Sequence, residues 1–116
     1  MTDINEYQQI VKKYNTYENK MGPYYTIMGI MSAVGTLSEK MKRLLDESDG
    51  KLNEKEAMKL GITLGDLLKY IADMATDIDL SMENIILINL KKLELQKQKE
   101  IQENKKIINE WIYGKG

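Results

Sequence analysis

The chain has 116 residues, 42% hydrophobic and 30% charged, with a formal net charge of -1; this is the balance of one globular domain, with no field that would draw it to nucleic acid or an anionic membrane. It has no Cys and no His. Their absence excludes disulfides, thiol nucleophiles, Ser-His-Asp catalysis, the usual zinc sites and imidazole acid–base chemistry, and leaves only hard cations on oxygen ligands as metals.

No apolar run is long enough to span a bilayer, and the polar first residues lack the apolar core of a signal peptide, so a cytoplasmic address is expected, with neither membrane nor nucleic acid as partner. A single Pro and little β-branched alternation point to helices. Phe is absent, and Met, Leu and Ile supply the core residues. The heavy use of Lys, Ile, Asn and Glu suits a low-GC genome, bacterial or phage.

The first helix is expected from about Asp3 to Tyr17, with Asp3 as cap and Glu6 three residues on. Tyr7, Ile10, Val11 and Tyr14 give it one apolar stripe. The segment from Asn19 to Pro23 is expected to break it. A second helix then runs from about Tyr24 to Asp46, its period kept by Ile27, Ile30, Met31, Val34, Leu37, Met41, Leu44 and Leu45. Gly29 and Gly35 lie inside it, each disfavoured by roughly 1 kcal/mol against Ala, which suggests close approach of a backbone or a ligand. Glu47 to Gly50 form the turn.

Asn53, with Glu56 behind it, opens a third helix that reaches about Thr76. Leu60, Leu64, Leu67, Leu68, Ile71, Ala72 and Ala75 form its apolar face, and Gly61 and Gly65 repeat the glycine feature, so the two central helices are expected to pack closely. Ser81 caps the fourth helix. Its start, Ile85 to Ile88, is apolar all round and expected to be buried on most sides. Gln96 to Glu100 are polar, and Ile101, Ile107, Ile108, Trp111 and Ile112 then restore an apolar stripe. That stripe is expected to cover a partner subunit, or to fold back after a break near Asn104.

Three blocks carry a resemblance: Gly29-Ile30-Met31-Ser32-Ala33-Val34-Gly35-Thr36-Leu37, then Thr63-Leu64-Gly65-Asp66-Leu67-Leu68-Lys69-Tyr70, then Asn89-Leu90-Lys91-Lys92-Leu93. Together they resemble the MazG-like all-α NTP pyrophosphohydrolases, over about residues 3–95. That family reads G-L-x-E-E-x-G-E, E-L-G-D-x-L-W-Y and N-x-x-K-L in the same order. The resemblance implies an all-α, four-helix MazG-like bundle in one domain, residues 1–116. Residues 96–116 are expected as an extended C-terminal helix, and the chain is expected to assemble as a homo-oligomer, a dimer or tetramer.

In the family, acidic residues of the second and third helices hold magnesium, which clamps a nucleotide's phosphates and activates a water. Carried over residue by residue, the acids are mostly gone. Ser32 and Ala33 stand for paired Glu, Thr36 for the next and Thr63 for the Glu of the third helix; Asp66 alone keeps its carboxylate, and is the one metal ligand left. Asn89 and Lys92 match the family's polar pair, Tyr70 matches, and Lys69 replaces a Trp. Lys69, Tyr70, Asn89 and Lys92 are thus the nucleotide- or phosphate-binding candidates.

A hydroxyl is a weak neutral ligand, and the loss of four negative charges removes most of the attraction for the ion. The expectation is a catalytically impaired homologue, with no cofactor, that binds a nucleotide-like anion or a protein and acts as a regulator. The alternative is an active, magnesium-dependent pyrophosphohydrolase with altered ligands. Plainer roles stand beside the sharper ones. Asp66 and Lys69 can form an i,i+3 ion pair, the hydroxyls can bond to the i−4 carbonyl, and Glu39 can point to solvent.

Overall fold

The computed structural model describes residues 3–15 and 21–114. Among these there are four helices and no strand: α1 (Ile4–Lys12), α2 (Gly22–Ser48), α3 (Glu54–Asp77) and α4 (Met82–Tyr113). The all-α class is therefore the one the chain adopts, and no helix among the described residues is long and apolar enough to cross a membrane. The chain divides into two compact units, Met1–Met82 and Glu83–Gly116.

Local chemistry sets the helix starts. The Asp3 carboxylate accepts from the Glu6 N–H at 2.8 Å, and the Asn53 side-chain oxygen accepts from the Glu56 N–H at 2.8 Å; each cap takes up one donor that the first turn leaves unpaired. The segment expected to break the chain behaves differently at its end. α2 already begins at Gly22, with Pro23 in its first turn, where a ring without an N–H costs nothing. Tyr17, the expected end of the first helix, lies outside the described residues. α1 itself stops at Lys12.

In the first unit α3 packs on both α2 and α1. Ala72 and Ala75, on its inner face, have no exposure at all. The other buried apolar residues are Val11, Ala33, Leu44 and Met82, so alanines make up half of the buried apolar residues described. Ile27, Met31, Val34, Met41 and Leu45 of α2 and Leu64 and Leu68 of α3, expected in the core, are exposed instead. Periodicity marks an apolar face, but three helices cover only the part of it that meets a neighbour.

With so little apolar interior, polar side chains hold the elements together. Gln8, buried on α1, donates from Nε2 to the Leu80 carbonyl (2.9 Å) and to Thr76 Oγ1 (3.2 Å), and its Oε1 accepts from the Met82 N–H (2.8 Å). One amide thus ties α1 to the last turn of α3, to the turn that follows it and to the first N–H of α4. At the other contact Thr26, fully buried, donates to the Gly22 carbonyl (2.8 Å) and lies 2.9 Å from Asp77 Oδ2. A Cβ at Gly22 would be 2.8 Å from the other Asp77 oxygen. That closeness lets a carboxylate at the end of α3 rest on the N-terminus of α2, where the helix dipole favours negative charge.

The glycines divide. A Cβ at Gly29 would stand 2.4 Å from the Tyr70 ring, so here α2 and α3 do use a glycine for close approach, whereas Cβ atoms at Gly35, Gly61 and Gly65 would meet nothing within 4 Å. The expected glycine-lined contact between the central helices is limited to Gly29.

The second unit is the body of α4, unbroken through Asn104; the expected break there does not occur. Ile86, Leu87 and Ile88 are exposed rather than buried on most sides, and Trp111 is 88% exposed. A lone helix has no interior of its own, so an apolar run guarantees burial only where another element covers it.

Gln8→Ala is expected to leave the Leu80 carbonyl and the Met82 N–H without their partner and to cost about 2 to 4 kcal/mol in urea unfolding. The exposed neighbour Gln9→Ala should stay within about 0.5 kcal/mol of the parent.

Candidate functional site

The sequence-derived site residues are spread over α2, α3 and α4. On α2, Ala33 is buried while Ser32 and Thr36 are exposed. Thr63 of α3 is buried, and its hydroxyl accepts a hydrogen bond from Lys40 Nζ of α2 at 2.7 Å; the same ammonium reaches the Lys59 carbonyl at 3.4 Å. Lys40 sits one turn beyond Thr36, so a fixed positive charge bridges the two helices whose residues the resemblance assigns to a metal. Glu39, beside it, turns outward and pairs with Arg43 at 3.1 Å, both well exposed. Among the described residues no three acidic side chains gather closely enough to hold a metal ion.

A second cluster lies where α3 faces α1. Asp73, 1% exposed, is held by Lys69 Nζ at 3.1 Å. The plainer expectation paired Lys69 with Asp66; the actual partner is one turn the other way. The i,i+4 spacing brings the longer chain onto a buried carboxylate, and a buried charge without a partner is costly. The Lys69 ammonium also stands 4.9 Å from the centre of the Tyr70 ring, the same ring that packs on Gly29. Lys69 and Tyr70 therefore have structural partners of their own, and Asp66 is exposed.

Tyr7 of α1 senses this cluster. Burial lifts its phenol above the ordinary value, the Asp73 and Asp66 carboxylates push in the same direction, and Lys69 opposes them. Asn89 and Lys92 lie on exposed turns of α4, in the second unit, one turn apart as the family's polar pair requires.

A further feature was not anticipated. Where α2 ends and α3 begins, a cavity of ≈ 380 Å³ opens between them. Its floor is Leu44 and Leu60, and its walls carry both signs of charge, among them Arg43, Lys59, Glu47 and Glu56.

Lys40, Asp73 and Gln8 were all missed in the sequence. For Asp73 a signal existed, since one carboxylate interrupts the apolar run Ile71-Ala72-Asp73-Met74-Ala75 with a Lys four residues before it. Gln8 shares the face of Val11, three residues on. For Lys40 there was none, because its role depends on the register between two helices.

Comparison with known proteins adds one relative. The chain is similar to the Gene 37 protein of Mycobacterium phage L5, 29% identical over 80 residues, which is 69% of this chain and 70% of that protein. No protein-family model matches the chain, and no solved structure matches it significantly.

The raised Tyr7 phenol gives a pH prediction. Its folded value lies above the unfolded one, so the unfolded chain releases this proton first; stability is unaffected at neutral pH and falls as pH climbs past about 10. Urea unfolding followed from pH 8 to 11 should show this decline, and Tyr7→Phe should make it shallower.

Proposed function

We propose that the chain is a catalytically impaired MazG-like homologue, encoded by a phage and working in the cytoplasm as a regulatory protein that binds a nucleotide or related phosphate, or a protein. One observation carries the loss of chemistry: the Lys40 ammonium, 2.7 Å from Thr63 Oγ1. A divalent ion about 5 Å from that charge is repelled by about 2 kcal/mol even at the dielectric constant of water, and by more in a partly buried site. A hydroxyl in place of a carboxylate offers nothing to offset it. The likeness to a mycobacteriophage protein supports the phage origin.

The test is direct. Purified protein incubated with the common nucleoside triphosphates and magnesium or manganese should release no pyrophosphate above background. Robust turnover that disappears in Asp66→Ala would establish the active, magnesium-dependent hydrolase instead. Any binding of a nucleotide by the native state must raise the melting temperature, so a thermal-shift series with the same nucleotides separates a phosphate ligand from a protein partner.

Assembly into a homo-oligomer, a dimer or tetramer, belongs to the same reading. It is supported by the exposed apolar residues of α4 and by Gly35, Gly61 and Gly65, where a Cβ would meet no other side chain within 4 Å among the described residues. Light scattering at micromolar concentration should return a multiple of 13.4 kDa. Gly65→Ala should lower the apparent mass by crowding the interface; a monomeric protein would instead gain about 1 kcal/mol from the better helix former, and that outcome would remove the oligomer.

A further inference from the structure

The cavity at the open end of the α2–α3 pair contains none of the positions carried over from the resemblance, and the inference drawn from it does not rest on the function proposed above. Its volume of ≈ 380 Å³ falls within the size range of small-molecule sites.

The charges around it are sorted. The bonds from Lys40 to the Lys59 carbonyl and to Thr63 set these residues level with one another across the two helices. Arg43 lies one turn further along α2. Glu47 and Ser48 lie beyond it, at the end of α2, and Glu56 lies in the first turn of α3. The connecting turn, residues 49–53, keeps the ends of the two helices adjacent. Three cations therefore stand at the inner end of the cavity and two carboxylates at the end by the turn, with buried Leu44 and half-buried Leu60 between them.

Among the described residues Glu47, Glu56 and Lys59 form no ion pair. Arg43 uses one nitrogen on Glu39 and Lys40 two of its three protons, so both retain donors. A simple anion entering here would face Glu47 and Glu56, and a simple cation would face Lys40, Arg43 and Lys59. A molecule with an anion at one end and an amine at the other satisfies both. The rise of the helix sets its length: Arg43 to Glu47 is about 6 Å along the axis and Lys40 to Glu47 about 10 Å.

We propose that this cavity binds a small amphoteric molecule, with a phosphate or carboxylate held by Lys40, Arg43 and Lys59, an amine held by Glu47 and Glu56, and an apolar stem lying over Leu44 and Leu60. The experiment is an amide-shift titration of the ¹⁵N-labelled full chain with aminocaproate and with aminohexyl phosphate. Caproate, hexylamine and inorganic phosphate serve as the single-ended controls.

At least one two-ended probe should move the amides of residues 40–60 and bind about tenfold or more tightly than its single-ended fragments; the arm that binds tighter identifies the anion as carboxylate or phosphate. The paired change Glu47→Gln with Glu56→Gln should reduce that probe's affinity to the level of its anionic fragment. Arg43→Ala with Lys59→Ala should reduce it to that of hexylamine. These are surface positions, and an unchanged pattern of amides elsewhere checks that each variant is folded. Absence of shifts in residues 40–60 with both probes, or equal binding of probe and fragment, would overturn the proposal. Neither result bears on whether the chain releases pyrophosphate.

Discussion

The amide of Gln8 makes three bonds that decide how the first unit closes. A helix as short as α1, with nine residues, has little propensity to persist by itself. Only Gln8 and Val11 of its residues are buried. The amide compensates by satisfying backbone groups at a place where the chain turns, and such groups are expensive to leave unpaired once buried. The same economy recurs at Thr26 with Asp77, Thr63 with Lys40 and Asp73 with Lys69. In each case a polar group does what a large apolar side chain does in a bulkier core.

This explains how much of the fold was legible beforehand. The caps at Asp3 and Asn53 were, because a capping bond is local and its spacing fixed. The four helices and their order were, because the 3.6-residue period is clear in the first three and the fourth has a long run without Pro or Gly. Burial was not. Met31 and Leu64 carry the same periodic signal as Leu44, yet only Leu44 is enclosed, since enclosure depends on which neighbour arrives and how far it extends. The polar clamps were legible only where they break a pattern, as Asp73 does.

The candidate site shows the same division. The resemblance pointed to Thr63 and Asp66 but was silent about Lys40, because Lys40 reaches Thr63 from another helix. Lost acids alone leave these positions neutral; the Lys40 ammonium bonded to Thr63 places a positive charge beside them. The proposed loss of metal chemistry rests on that difference of sign, and the same lysine lines the mixed-charge cavity nearby.

Asp77 has one more consequence. The residues that fasten the far end of the α2–α3 pair, Thr26 and Asp77, are separated by 51 positions in sequence, whereas the near end is joined by a short turn. Closing a long loop costs more entropy than closing a short one. Pairing that starts at the turn meets the smaller closure cost first, so the Gly22 end is expected to join last during folding. Pulse-labelling hydrogen exchange during refolding reads that order, the amides of α2 gaining protection last toward Gly22.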